Sequence, residues 1–182
     1  EYYALEGLSD LVGTIRKVHA NFNPEIKIMG ILRVMYDSRI TLAQQVSAQL
    51  EEHFKEKVFK AVIPRNIRLA EAPSHGLPGV RFDPGSRGAL GYLDFASELI
   101  ERTVEAMVGF PRATVHLYNA TAPVFREVVF RADKAQTIEL AQFGAREVIA
   151  QAEKRLGDET IFGFEYSPEI FVDTELDFAL EV

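Results

Sequence analysis

Histidine, arginine and acidic side chains are the residues of this chain that could carry chemistry, and their spacing limits which chemistry. The 182-residue chain has no cysteine, which excludes disulfides, thiolate nucleophiles and Cys-ligated metals. Its four histidines are His19, His53, His75 and His116. They are too far apart to form the short spacing of a metal-ligand motif, so the sequence predicts no metal site.

A phosphate-binding loop would need a glycine-rich turn followed by Lys and Ser or Thr, because backbone N–H groups and the lysine hold the phosphates. No G-x-x-x-x-G-K-[ST] motif occurs in the chain, so we expect no ATP hydrolysis. Arg65 and Arg68 are typical of solvent-exposed loop arginines, and Arg39 of an exposed residue near the start of a helix. His116 is typical of a strand-end histidine bonded to a loop carbonyl, and Glu169 of a solvated loop acid.

Charge is distributed unevenly along the sequence. The net charge is -7, and acidic and basic residues balance within 1–100, so residues 101–182 carry the whole excess. A nucleic-acid-binding protein usually presents a basic field, and the apolar runs are too short to span a bilayer. We therefore expect no nucleic-acid partner and no membrane segment. The absence of cysteine favours a cytoplasmic protein.

Helical and strand patterns alternate along the chain. Apolar periodicity predicts a long helix over 89–108 near its middle. The other predicted helices are 3–22, 41–54, 124–131, 134–156 and 174–182, the last with Asp173 as N-cap; the predicted strands are 26–35, 58–63, 113–118 and 160–166, with a further short strand at 80–82.

This alternation predicts an α/β domain over 1–182, with a single open, mainly parallel sheet of about four strands and helices on both faces. A half-barrel that dimerises to bury its open edge is the alternative. Unpaired strand edges favour self-association, so a homodimer is included among the partners, although no partner is required.

The first half carries three informative stretches: EYYALEGL at 1–8, MYDSR at 35–39 and VIPRNIRLAEAPSHG at 62–76. With DPGSRGALGYLDFASEL they resemble the C-terminal part of ParA/Soj-type partitioning ATPases over residues 1–98. The resemblance implies that the adenine of ATP would be bordered by Met35, Pro64, Arg65 and Asn66. It also implies that Arg39 and Arg68 match arginines implicated in non-specific DNA binding.

The second half resembles a different family. LIERTVEAMVGFPRATVHLYNATAPVFREVVFR and FEYSPEIFVDTELDFALEV are similar to an internal segment of the 2-isopropylmalate synthase (β/α)₈ barrel, over residues 99–182. The resemblance implies that His116, Ser167 and Glu169 match residues lining the keto-acid pocket. The family's R-D-G-E-Q and His-x-His metal motifs do not occur, and SPEIFVDTE departs from the family pattern. We therefore expect no bound metal and no cofactor.

The two resemblances meet inside the predicted helix, at residues 96–101. A junction within a helix that drops both catalytic motifs predicts an engineered chimera without native catalytic activity, made to test whether α/β fragments recombine. Residual nucleotide or non-specific DNA binding by the first half is the alternative. A 2-isopropylmalate synthase-like acyltransferase is a weaker alternative.

Overall fold

Helices and parallel strands alternate through the computed structural model, which describes residues 2–182. This confirms the α/β class. In chain order the elements are α1 (Tyr2–Asn21), β1 (Ile31–Tyr36), α2 (Thr41–Phe54), β2 (Val58–Pro64), α3 (Ile67–Glu71), α4 (Gly79–Phe82), α5 (Arg87–Glu105), β3 (Arg112–Ala120), α6 (Lys134–Arg155), β4 (Ile161–Glu169) and α7 (Leu176–Glu181).

The four main strands form two separate sheets of two strands, rather than the one sheet expected. β1 pairs with β2, and β3 pairs with β4, both in parallel. An apolar run predicts that a strand is buried, but it does not say which strand lies beside it. Here each pair consists of consecutive strands joined by a helix, α2 or α6. No closed barrel forms within residues 2–182.

Helix α5 begins where Ser86 caps it, its Oγ accepting a hydrogen bond from the N–H of Ala89 at 3.2 Å. The helix packs against β2 and against α6. Close approach to β2 requires glycine at position 91, because a Cβ there would lie 2.9 Å from the carbonyl oxygen of Val62. Val104 near the other end of α5 is fully buried.

Helix α6 begins with a capping box. The Asp133 carboxylate accepts a hydrogen bond from the N–H of Gln136 at 2.8 Å, and the Gln136 side chain accepts one from the N–H of Asp133 at 3.1 Å. The helix packs on β3 and β4 through a stripe of buried residues. This stripe comprises Thr137, Ala141, Val148 and Ala152.

Three element predictions need correction. The segment predicted as a strand at 80–82 is part of the one-turn helix α4, since it has no neighbouring strand to pair with. The strand predicted to begin at residue 26 begins at Ile31, because its partner β2 begins opposite that residue. The last helix begins at Leu176 rather than residue 174, and Asp173 lies in a preceding 3₁₀ turn instead of capping it.

Candidate functional sites

A cleft of about 570 Å³ lies at the carboxyl ends of β1 and β2. Of the residues matched to nucleotide and DNA contacts, Arg39, Pro64 and Arg65 line this cleft. The N–H of Arg65 donates to the carbonyl oxygen of Tyr36 at 3.0 Å, which holds the two strand ends together. Part of the predicted site is therefore assembled at one edge of the sheet.

The other predicted residues of this site have different positions. Met35 is 73% exposed and has a left-handed backbone with φ of 54°, which turns the end of β1. Asn66 caps α3, its Oδ1 accepting a hydrogen bond from the N–H of Leu69 at 3.2 Å. Neither residue is among those that line the cleft, within the part of the chain described.

Asp37 holds Arg39 in a two-point ion pair. Arg39 Nε donates to Asp37 Oδ1 at 2.9 Å, and Arg39 Nη2 donates to Oδ2 at 2.7 Å. The side-chain and backbone hydrogen bonds from Arg39 hold the pKa of Asp37 well below its usual range, and the carboxylate in turn raises the pKa of Arg39. Asp37 was not predicted as a site residue, although its position two residues before Arg39 is a usable local signal.

Arg68, the second arginine matched to DNA contacts, is also paired with acids. Its Nη1 donates to Glu71 Oε2 at 2.9 Å, and its Nε lies 3.3 Å from Asp83 Oδ2. The carboxylates of Asp37 and Asp94 line the cleft beside its arginines. These carboxylates oppose phosphate binding, whereas Arg39, Arg65 and Arg87, which line the same cleft, favour it.

The second predicted site lies on β3 and β4, where the structure brings two of its three residues together. His116 Nε2 and Ser167 Oγ are 2.8 Å apart across the two strands. The predicted loop-carbonyl partner of His116 is thus replaced by a serine hydroxyl on the neighbouring strand. The ring of Tyr118 lies 5.7 Å from the imidazole ring, centroid to centroid.

Glu169, the third residue of this site, lies at the end of β4, opposite Ala120 in the strand register. Its carbonyl oxygen accepts hydrogen bonds from the N–H and Oγ1 of Thr121, at 3.1 and 3.2 Å. Glu169 is exposed, as predicted, but it belongs to β4 rather than to a loop. The His116–Ser167 pair can bind a small polar group, but it lies on an open sheet surface.

The synthase resemblance implies a site for a divalent metal. No group of three or more His, Asp or Glu residues that could hold one occurs in the described part of the chain. The residues therefore do not fit the metal that the synthase resemblance implies. Separately, none of the helices described is both long and apolar enough to cross a membrane.

A polar cluster that was not predicted from the sequence joins α5 to β2. The Glu98 carboxylate accepts hydrogen bonds from the N–H groups of Lys60 and Ala61 at 3.0 and 2.8 Å. Burial acts to raise the pKa of Glu98, but these bonds and Arg102 outweigh it, so the pKa is lowered. Arg102 donates to the carbonyl oxygens of Glu56 and Val58, at 2.6 and 2.9 Å.

A second missed cluster surrounds Arg126, a buried side chain. Its Nη2 donates to both carboxylate oxygens of Glu175, at 2.8 and 2.9 Å. The guanidinium lies over the ring of Phe178, 4.7 Å from its centroid. The hydrogen bond from Arg126 lowers the pKa of Glu175 to about 2. This cluster attaches α7 to the segment after β3.

Known proteins match the two parts of the chain separately. A family model described as the CobQ/CobB/MinD/ParA nucleotide-binding domain matches residues 3–79. The chromosome-partitioning ATPase Soj of Thermus thermophilus is 54% identical over 106 residues, which are 58% of this chain and 43% of that protein. The sporulation initiation inhibitor protein Soj of Bacillus subtilis is 52% identical over 99 residues, which are 54% of this chain and 39% of that protein.

A match of a different kind is 2-isopropylmalate synthase of Thermobifida fusca, 59% identical over 85 residues. These residues are 47% of this chain and 15% of that enzyme. The chain spans about two fifths of the length of the relatives that match its first part. The Soj and synthase matches together exceed the whole chain, so they overlap by a few residues. Both predicted resemblances are confirmed.

Proposed function

We propose that this chain, which joins a ParA-like stretch to a stretch of a 2-isopropylmalate synthase barrel, has no catalytic activity of its own. It was engineered to test whether fragments of two α/β enzymes recombine into one folded protein, and it resides in the cytoplasm of its host. Its function is to fold. The proposal makes folding cooperativity, rather than turnover, the property to measure.

The observation that carries this proposal is the packing of α5, the helix in which we predict the junction. On the ParA-like side, Glu98 accepts hydrogen bonds from the backbone of β2. Beyond the predicted junction, Arg102 reaches back to the carbonyl oxygens of the same region. Glu101 of α5 forms an ion pair with Arg155 of α6. Contacts on both sides of the helix support one cooperative unit.

The sites also support a chain without catalysis. The sequence has no glycine-rich loop with a following Lys and Ser or Thr, so it lacks the motif that holds the phosphates of ATP for hydrolysis. The barrel part contributes only β3 and β4, whereas barrel active sites collect residues from most of eight strands. His116 and Ser167 alone provide neither a metal nor an enclosed pocket.

Chemical denaturation tests the proposal, followed in parallel by far-ultraviolet circular dichroism and tyrosine fluorescence. We expect the two signals to give one coincident transition, because α5 couples the two parts. Two separated transitions would show that the parts fold independently and would overturn the proposal. ATPase assays and zinc-dependent condensation of 2-oxoisovalerate with acetyl-CoA should both give background rates; turnover above background would contradict the absence of catalysis.

A residual binding function of the ParA-like part is the second candidate. The observation favouring it is that Arg39, Arg65 and Arg87 line one cleft, with the Arg39 side chain 87% exposed. The pairing of Arg39 with Asp37 opposes it, because a phosphate would have to displace a carboxylate.

A further inference from the structure

Each sheet has only two strands, so every strand has one side without a strand neighbour. On the β2 side, the Glu98 carboxylate already binds the N–H groups of Lys60 and Ala61. β1 is irregular, with shifts in its register and a left-handed residue at Met35. Neither edge of the first sheet offers a regular row of free backbone groups.

The direction of the backbone groups in the second sheet follows from its two end bonds. Ile161 N–H donates to the carbonyl oxygen of Pro111, and Thr121 N–H donates to the carbonyl oxygen of Glu169. The backbone N–H and C=O groups of successive residues point to opposite sides of a strand. The odd-numbered residues of β3 and β4 therefore direct their N–H and C=O groups towards each other. The even-numbered residues present their N–H and C=O groups outward.

The free edge of β4 is blocked by proline. Pro168 is even-numbered, so the position without an N–H group lies on the outward side, where an edge strand tolerates proline. Proline on a free edge discourages pairing with another strand. β4 also carries the charged Glu165 and the flexible Gly163.

The free edge of β3 has no such protection. Its sequence, RATVHLYNA, contains no Pro, Gly, Lys, Asp or Glu. Its register with β4 is regular over all nine residues. Within residues 2–182, no hydrogen bond outside the sheet reaches the backbone of Thr114, His116 or Tyr118. It is a long, regular edge that can accept another strand.

We infer that two copies of this chain associate by antiparallel pairing of β3 with β3. With His116 opposite His116 of the second copy, all nine residues of each strand are aligned, and Thr114 lies opposite Tyr118. The outward groups of these residues then form hydrogen-bonded pairs. The result is a four-stranded sheet in the order β4-β3-β3-β4, with Pro168 at both outer edges.

The free edge of β3 fits the β3 edge of a second copy best, because the residues that come to lie opposite each other are compatible. A β-branched threonine opposite an aromatic tyrosine is a favourable cross-strand pair, and it occurs on both sides of the symmetry axis. The lone charged residue of the strand, Arg112, lies opposite Ala120, so the pairing brings no like charges together. Closed two-fold symmetry also limits the assembly to a dimer.

The test compares two lysine variants by sedimentation and light scattering over a range of concentrations. His116→Lys places two lysines opposite each other at the symmetry axis, where like charges oppose pairing. Ser167→Lys is the matched control: it loses the same 2.8 Å His116–Ser167 bond and exposes lysine on the same sheet surface, but on β4.

We expect the unmodified chain and Ser167→Lys to reach twice the monomer mass of 20.4 kDa, and His116→Lys to remain at the monomer mass. Thr114→Pro, which removes an outward N–H, should also be monomeric while keeping its circular dichroism spectrum. A monomeric unmodified chain overturns the inference. The inference is also overturned if His116→Lys remains a dimer, or if Ser167→Lys dissociates as much as His116→Lys does. Either result would show that the interface is not the β3 edge.

Discussion

Arg102 Nη2 donates to Glu98 Oε1 at 2.8 Å, one helical turn apart on α5, and both side chains bind the backbone of β2 or the turn before it. The guanidinium of Arg102 also lies over the ring of Phe59, 4.3 Å from its centroid. By the predicted boundary, one residue of this pair comes from each parental stretch. The pair is thus one of several polar links between the two parts, which also include the hydrogen bond from Arg81 to the carbonyl oxygen of Phe130.

Removing the Glu98 charge should destabilise the fold. Glu98→Gln keeps one carbonyl oxygen but loses the second acceptor and the ion pair, leaving a backbone N–H of β2 without its partner. We expect the free energy of unfolding to fall by about 1–3 kcal/mol. Urea denaturation measures this, with Glu105→Gln on the same helix as control. Equal stability of the two variants would contradict the role assigned to Glu98.

Adding one methyl group at Gly91 should also destabilise the fold, because the new Cβ would lie 2.9 Å from a backbone oxygen of β2. We expect Gly91→Ala to cost about 1–3 kcal/mol. The matched control is Gly13→Ala in α1, where a Cβ meets nothing within 4 Å. That change should stabilise the helix by about 0.5–1 kcal/mol. Thermal unfolding of both variants checks the difference in sign.

Stability should fall in acid through Glu175. Its pKa is lowered from 4.5 to about 2 by the hydrogen bond from Arg126, so the folded state binds the proton less readily than the unfolded state. The stabilisation is therefore complete above pH 4.5 and is lost as the pH falls towards 2. Unfolding free energies measured across this window should decline less steeply in Glu175→Gln. If the free energies of unfolding of Glu175→Gln and of the unmodified chain declined in parallel, Glu175 would not be the cause of the pH dependence. Glu181→Gln serves as the control and should behave like the unmodified chain.

Non-specific duplex DNA should give no salt-sensitive complex with this chain. Arg39 is bound by Asp37, and Arg68 is bound by Glu71 and lies close to Asp83, so the two arginines matched to DNA contacts are already paired with acids and would release few counterions. Mobility-shift assays at low and moderate salt measure this. A shift at low salt that disappears in Arg39→Ala/Arg68→Ala would instead support the binding-module alternative.

The long helices were predictable because their apolar periodicity is local, whereas the short helices α3 and α4 were not predicted. The predicted helix 41–54 coincides with α2, and the predicted helix 89–108 overlaps most of α5. The division into two sheets was not predictable, because strand pairing depends on contacts between distant segments. The meeting of His116 with Ser167 follows from the alignment of parallel strands.

The polar clusters show where sequence reasoning ends. Asp37 and Arg39 are two residues apart, so their pairing could have been inferred from the local sequence. Arg126 and Glu175 are 49 residues apart and meet only because the fold brings α7 to the segment after β3. Long-range ion pairs of this kind carry no local pattern.

The position of the predicted junction inside α5 makes helical phase a condition for recombining these fragments. Each residue advances an α-helix by about 100°. One residue inserted between Glu98 and Arg102 would rotate the following part of the chain by that angle and direct Arg102 away from β2. Insertions of about one full turn would return it to the same face. A junction between two unrelated α/β proteins must therefore preserve the rotation of the residues about the helix axis as well as join compatible sequences. A helix that both proteins share provides this common rotation.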